Sequence, residues 1–176
     1  MQKDIVNRVA NSKLVTINLE DFYPEGKRVL FDIKDWLFEG LVLREKDFRT
    51  HVTKYDWAQF KNQYVALTCS TDAIIPGWAY MLLSIQLVPY VKKVVVGNLD
   101  TLETSIYQDI ISTMNVATFT DKPVIIKGCS NKPVPQNAYI MLATKLKPVA
   151  KSIMYGEACS SVPLFKKKLK NTTTKL

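Results

Sequence analysis

Three cysteines, each followed by a serine, are the residues of this chain best suited to chemistry: Cys69-Ser70, Cys129-Ser130 and Cys159-Ser160. Each lies just beyond a run that reads as a β-strand. In an open parallel sheet the carboxyl ends of the strands are the edge where ligands bind. Thiolates are soft donors that suit zinc or an iron–sulfur cluster. Neighbouring strands lie about 4.8 Å apart, so short loops from three of them can converge on one ion. Cys69, Cys129 and Cys159 are therefore the candidate metal ligands, and a fourth would be water, Asp72, Asp100 or Glu157. Three thiolates on a four-iron cluster would leave one iron open to substrate. The spacing is long-range rather than C-x-x-C, so two other readings stand beside this one. Cysteine is among the most buried residue types and fills small gaps in a core, with the serines as helix caps or loop formers. A reactive thiol is the third.

Other chemistries find little support. The sole histidine, His51, sits in a charged segment without a serine or cysteine partner nearby in sequence, which argues against Ser-His and Cys-His catalysis. The loops after Cys69 and Cys129 lack the arginine of a cysteine phosphatase. No G-x-G-x-x-G or G-x-x-x-x-G-K-[ST] occurs, and six glycines are too few for a phosphate cradle. Asp100-x-x-Glu103 reads as the capping pattern of a helix. Asp72 is placed to cap the helix after Cys69.

The elements that must position these residues fall into two regions. Residues 1–63 are rich in charge and aromatics and read as an N-terminal α+β extension packed on the main domain. Leu14 to Leu19 alternates like a strand, Tyr23-Pro24-Glu25-Gly26 is a turn, and Arg28 to Ile33 is a second strand, so a hairpin is expected. Two short helices follow, with Phe48 and Val52 four apart. Residues 64–165 alternate strand and helix: strands at 64–69, 92–96, 123–127 and 151–155, helices at 76–90, 99–114 and 135–146. Such alternation implies right-handed crossovers and a mostly parallel sheet in an open, three-layer α/β fold. The expected strand order is 2-1-3-4, the flavodoxin-like pattern.

The chain also matches itself at an offset of 59. Pro76, Ala79, Tyr80, Leu83, Leu87, Pro89, Lys92 and Gly97 fall on Pro135, Ala138, Tyr139, Leu142, Leu146, Pro148, Lys151 and Gly156. An internal β-α-β repeat is the reading.

Composition sets the outer bounds. With 176 residues, 47% of them apolar and 23% charged, the chain can bury a core without disulfides. No apolar run approaches the roughly eighteen residues of a membrane span, and the N-terminus lacks the apolar stretch of a signal peptide. A cytoplasmic protein with reduced thiols is expected. The formal charge of +8 is concentrated in the last eleven residues by Lys166, Lys167, Lys168, Lys170 and Lys175. Residues 166–176 thus read as a flexible basic tail. With only four arginines in the chain, specific nucleic-acid binding is not expected.

The segments FDIKDWLFEGLVLREKDF, TCSTDAIIPGWAYMLL, KGCSNKPVPQNAYI and VAKSIMYGEACSSVPL resemble a bacterial family catalogued as domain of unknown function 2480. The resemblance covers nearly the whole chain and implies a small cytosolic bacterial protein. It supplies no catalytic residue and no substrate. Two function classes follow from the residues: a zinc- or cluster-dependent protein with its site at the cysteine edge, or a non-catalytic homodimeric module contacting its partner through the aromatic-rich N-terminal segment.

Overall fold

The protein is described from a computed structural model over residues 14–128, 131–157 and 159–168. Its elements are β1 (Val15–Ile17), β2 (Arg28–Asp32), α1 (Glu45–Lys54), β3 (Tyr64–Thr68), α2 (Gly77–Leu87), β4 (Lys93–Val96), α3 (Leu99–Thr113), β5 (Pro123–Ile126), α4 (Gln136–Leu146), β6 (Ser152–Glu157) and β7 (Ser160–Lys166). The class is α/β with mostly parallel strands, as the alternation implies.

The expected single sheet of order 2-1-3-4 is not formed. Strands β2-β3-β4 make one parallel sheet, and β1-β5-β6-β7 make another in which only β7 is antiparallel. Nor do β1 and β2 form a hairpin. β1 pairs β5 in parallel, with Val15 opposite Val124, and β2 pairs β3 in parallel, with Arg28 opposite Tyr64. Each β-α-β unit thus takes one further parallel strand from the N-terminal region. Alternation of strand and helix fixes the crossovers within each unit but does not say whether α3 is a crossover within one sheet or a link between two. The chain accordingly divides into two compact units, residues 24–109 and residues 1–23 with 110–176.

Local sequence explains the helices. Pro76 and Pro135 occupy the N-cap positions of α2 and α4 in extended conformation, where a missing N–H costs nothing. Pro89 and Pro148 stand just past the C-caps, where the helix cannot continue. The buried stripes Ala79, Leu83, Leu87 and Ala138, Leu142, Leu146 lie four apart on one face of each helix. α3 is opened by Asn98, whose side chain accepts from the Thr101 N–H and hydroxyl at 2.9 Å. The expected cap, Asp100, stands exposed within the first turn.

Within the unit 24–109, α1, the turn Trp57–Phe60 and α2 pack on the face of the sheet carrying Phe31, Val65 and Leu67. Phe31 is the centre of an aromatic cluster, with Trp36, Tyr55, Trp57 and Phe60 rings 5.3–5.8 Å away. The aromatics of the N-terminal region are thus largely core rather than contact surface. α3 serves the opposite face, through Arg28 to Glu103 and Lys93 to Asp109.

Backbone hydrogen bonds recur between the units at the same offset of 59. Asn62 and Asp121 both adopt left-handed φ, 61° and 53°, and their N–H groups donate to Tyr90 O and Val149 O at 2.9 Å. Both residue types tolerate that conformation. Lys92 N donates to Gln63 O and Lys151 N to Lys122 O. Ala58 N is accepted by the Asp56 side chain and Ala117 N by that of Asn115. Among the described residues no helix is long and apolar enough to cross a membrane.

β7 goes beyond the sequence reading. It runs to Lys166, so the basic tail does not begin there. Lys167 N donates to Lys151 O, and its ammonium meets Asp121 at 2.9 Å. Residues 169–176 lie outside the described residues.

Candidate functional site

The carboxyl edge of β2 and β3 gathers the densest set of reactive groups in the unit 24–109. β2 ends on Asp32 and β3 on Thr68, followed by Cys69, Ser70 and Thr71. One oxygen of Asp32 accepts the Lys34 N–H at 3.0 Å and the Ser70 N–H at 3.1 Å. Burial alone would push this carboxyl upward. The Ser70 side chain, the Lys34 and Ser70 amides and the Lys34 charge outweigh it and hold Asp32 below its ordinary value. The Cys69 sulfur lies 3.2 Å from the Thr71 hydroxyl. Tyr80, on the first turn of α2, has its phenol pushed upward by burial and by Cys69 and Asp32 nearby.

The second unit builds a similar tie with a different acid. After β1, Asn18 caps the turn Leu19–Phe22, and its side chain accepts from Glu20 N at 3.2 Å. A Glu20 oxygen then accepts the backbone N–H groups of Asn131 and of Lys132, the latter at 2.7 Å. Tyr155 donates its hydroxyl to Gly128 O at 3.3 Å. A Cβ on Gly128 would meet that ring at 2.9 Å, so glycine is the residue that lets the two approach. In each unit, then, an acid at or just beyond the end of one strand fixes the loop that follows the adjacent strand. Sequence reasoning missed Asp32 and Glu20. Their signal was an acid directly after an apolar strand run, at Leu30-Phe31-Asp32 and Ile17-Asn18-Leu19-Glu20.

The proposed metal ligands fare differently. Cys69 and Cys159 are carried by strands of separate sheets, β3 and β6, so the three thiols do not follow consecutive neighbours of one sheet. Cys69 is half-buried, and Cys159 is exposed in the turn between β6 and β7. Glu157 ends β6 opposite Ser160. Asp72 is exposed in the loop after Cys69, and Asp100 is exposed at the start of α3. Cys129 lies outside the described residues. Among the described residues no group of three or more His, Cys, Asp or Glu side chains could hold a metal ion. His51 stacks on Trp36, with centroids 5.4 Å apart, as an exposed aromatic of α1.

Chemically, the Asp32 edge offers a carboxylate, a thiol and a phenol, but the carboxylate is occupied in holding the loop. Its groups act first as a brace. A family model described as a protein of unknown function, DUF2480, matches residues 3–167. No curated protein and no solved structure matches the chain. The match spans nearly the whole sequence, the acid-braced Cys69 loop included, and the chain belongs to the DUF2480 family.

Proposed function

We propose that this chain is a non-catalytic module that self-associates, its two units being diverged copies of one strand–helix–strand plan. One observation carries the reading. In the unit 24–109 the apolar side chains of Met81, Ile85 and Val88 on α2, 66%, 66% and 64% exposed, stand with Val96 of β4, 53% exposed. Their counterparts at the offset of 59 on α4 are Ile140, Thr144 and Lys147, two of them polar. An apolar surface retained in one copy and made polar in the other is what a contact confined to one unit requires. A zinc or iron–sulfur centre is less supported, because the described residues gather no ligand trio.

Light scattering on the purified chain tests the reading. A dimer at micromolar concentration is expected, converted to monomer by Ile85→Lys with Val88→Lys while the melting temperature holds. A monomeric wild-type chain, or a dimer indifferent to these substitutions, overturns it.

A further inference from the structure

We infer that two copies join edge to edge through β4, in antiparallel register about Val95, to make one continuous six-stranded sheet. The inference rests on the self-association reading above and adds its geometry.

β4 is an edge strand whose only partner among the described residues is β3. Tyr64 N donates to Lys27 O, so Val65 and Leu67 face β4, and Gly97 N donates to Leu67 O. With Val65 opposite Val94 and Leu67 opposite Val96, Lys93 and Val95 point inward, and Val94 and Val96 aim their N–H and C=O groups at the open edge. Exposed edges are ordinarily blunted by proline, a bulge or an unpaired charge. Lys93-Val94-Val95-Val96 carries no proline, and its one charge is already engaged: the Lys93 ammonium meets Asp109 and donates to Ser105 O at 3.0 Å.

The second unit shows what such an edge accepts. β6 stands where β4 stands, pairing β5 in parallel as β4 pairs β3. Its outer edge carries the antiparallel strand β7, with Ser152 opposite Lys166 and Met154 opposite Pro163. The unit 24–109 has no such strand among its described residues. A second copy of β4 supplies one.

The pairing is self-complementary. In antiparallel alignment about a two-fold axis at Val95, Val94 of each copy faces Val96 of the other, and four outward backbone groups per copy find partners. The alignment also sets α2 of both copies on one face of the joined sheet. There the groove of about 380 Å³ between α2 and β4, lined by Tyr80, Met81, Ser84, Val94 and Val96, becomes the seam.

The register is tested in a chain with Cys69→Ser, Cys129→Ser and Cys159→Ser, to which Val95→Cys is added. Facing residues at a non-hydrogen-bonded antiparallel site lie close enough for a disulfide. Oxidation should give a covalent dimer as the main species. Independently, Val96→Pro removes an outward N–H and leaves the β3–β4 ladder intact, and it should weaken dimerisation at least ~10-fold with the fold retained by circular dichroism. If the Ile85→Lys, Val88→Lys pair abolishes the dimer yet Val95→Cys does not cross-link and Val96→Pro has no effect, this register is wrong while the self-association reading stands. A monomeric wild-type chain removes both.

Discussion

Arg28 Nε donates to Glu103 Oε1 across 2.6 Å, linking β2 to α3 with side chains only 11% and 7% exposed. The same guanidinium donates to Pro24 O and Gly26 O, and stacks 4.8 Å from the centre of the Tyr64 ring. Gly26 permits this approach. Its φ is +136°, and a Cβ there would meet the Tyr64 ring at 2.9 Å. A charge so enclosed is tolerated only while its partner is present.

Glu103→Ala should therefore cost about 3–5 kcal/mol, because it strands the Arg28 charge in a dry setting. Glu103→Gln, which keeps the shape and a hydrogen-bonding oxygen, should cost less. Urea denaturation of the two variants checks the order. Equal and small losses would show that the pair is solvated.

Phe31→Ala should be the most damaging single truncation in the aromatic cluster. Four rings lie within 5.8 Å of it, and none can collapse into the space without disturbing another. A loss of about 3–5 kcal/mol is expected for a buried phenylalanine. The same change at Phe38, which is exposed, should be much milder. Chemical denaturation distinguishes them.

Asp32 sets an acid limb to stability. Its folded value is lowered and its unfolded value is near 4. The stabilisation it provides is thus present above about pH 4 and is lost as pH falls through the lower folded value. Asp32→Asn should reduce stability near neutral pH and flatten its dependence below pH 4. A melting-temperature series from about pH 2 to 7 reads this directly. An unchanged acid limb would remove Asp32 as its source.

Removing residues 159–176 takes away β7 and uncovers the outer edge of β6. The shortened chain should lose stability and gain self-association, since an unpaired strand edge is a template for pairing. Light scattering and urea midpoints, compared with the full chain, provide the check. A chain that keeps both would show that β7 is dispensable.

Purified without oxygen, the protein should carry no stoichiometric zinc or iron. Cys69→Ser and Cys159→Ser should then act independently, each costing roughly 1 kcal/mol or less. One equivalent of metal, released by either substitution, would restore the thiolate centre as the reading of these residues.

Much of the local structure was legible in the sequence. Phe48 and Val52 do face the core from α1, and the stripes ending at Leu87 and Leu146 mark α2 and α4. α3 buries Leu102, Ile106, Tyr107 and Ile111, while Leu99 is 40% exposed. Sheet membership was not legible, because a β-branched run such as Lys93 to Val96 satisfies its pattern in either sheet. β7 escaped notice because Pro163 interrupts it and its outer face is exposed, so no buried run announced a strand. The acids Asp32 and Glu20 follow apolar strand runs, but the loops they brace were not legible. Each acts on backbone amides far along the chain, 38 residues away at Ser70 and 111 at Asn131, and periodicity carries no information at that range.

The discontinuity of one unit sets a sequence of assembly. Among the described residues the strand partners of β2 and β3 lie between residues 24 and 109, a contiguous stretch that can close on itself as soon as it is made. β1, by contrast, precedes that unit in the chain, yet Val15 must find Val124 and Ile17 must find Ile126 beyond it. Contacts so distant along the chain form slowly, because the intervening loop has to be closed first. Folding the intervening residues into the unit 24–109 shortens that loop before β1 is seated. A strand made before the unit 24–109 is thus placed after it, and it waits on the unit inserted behind it.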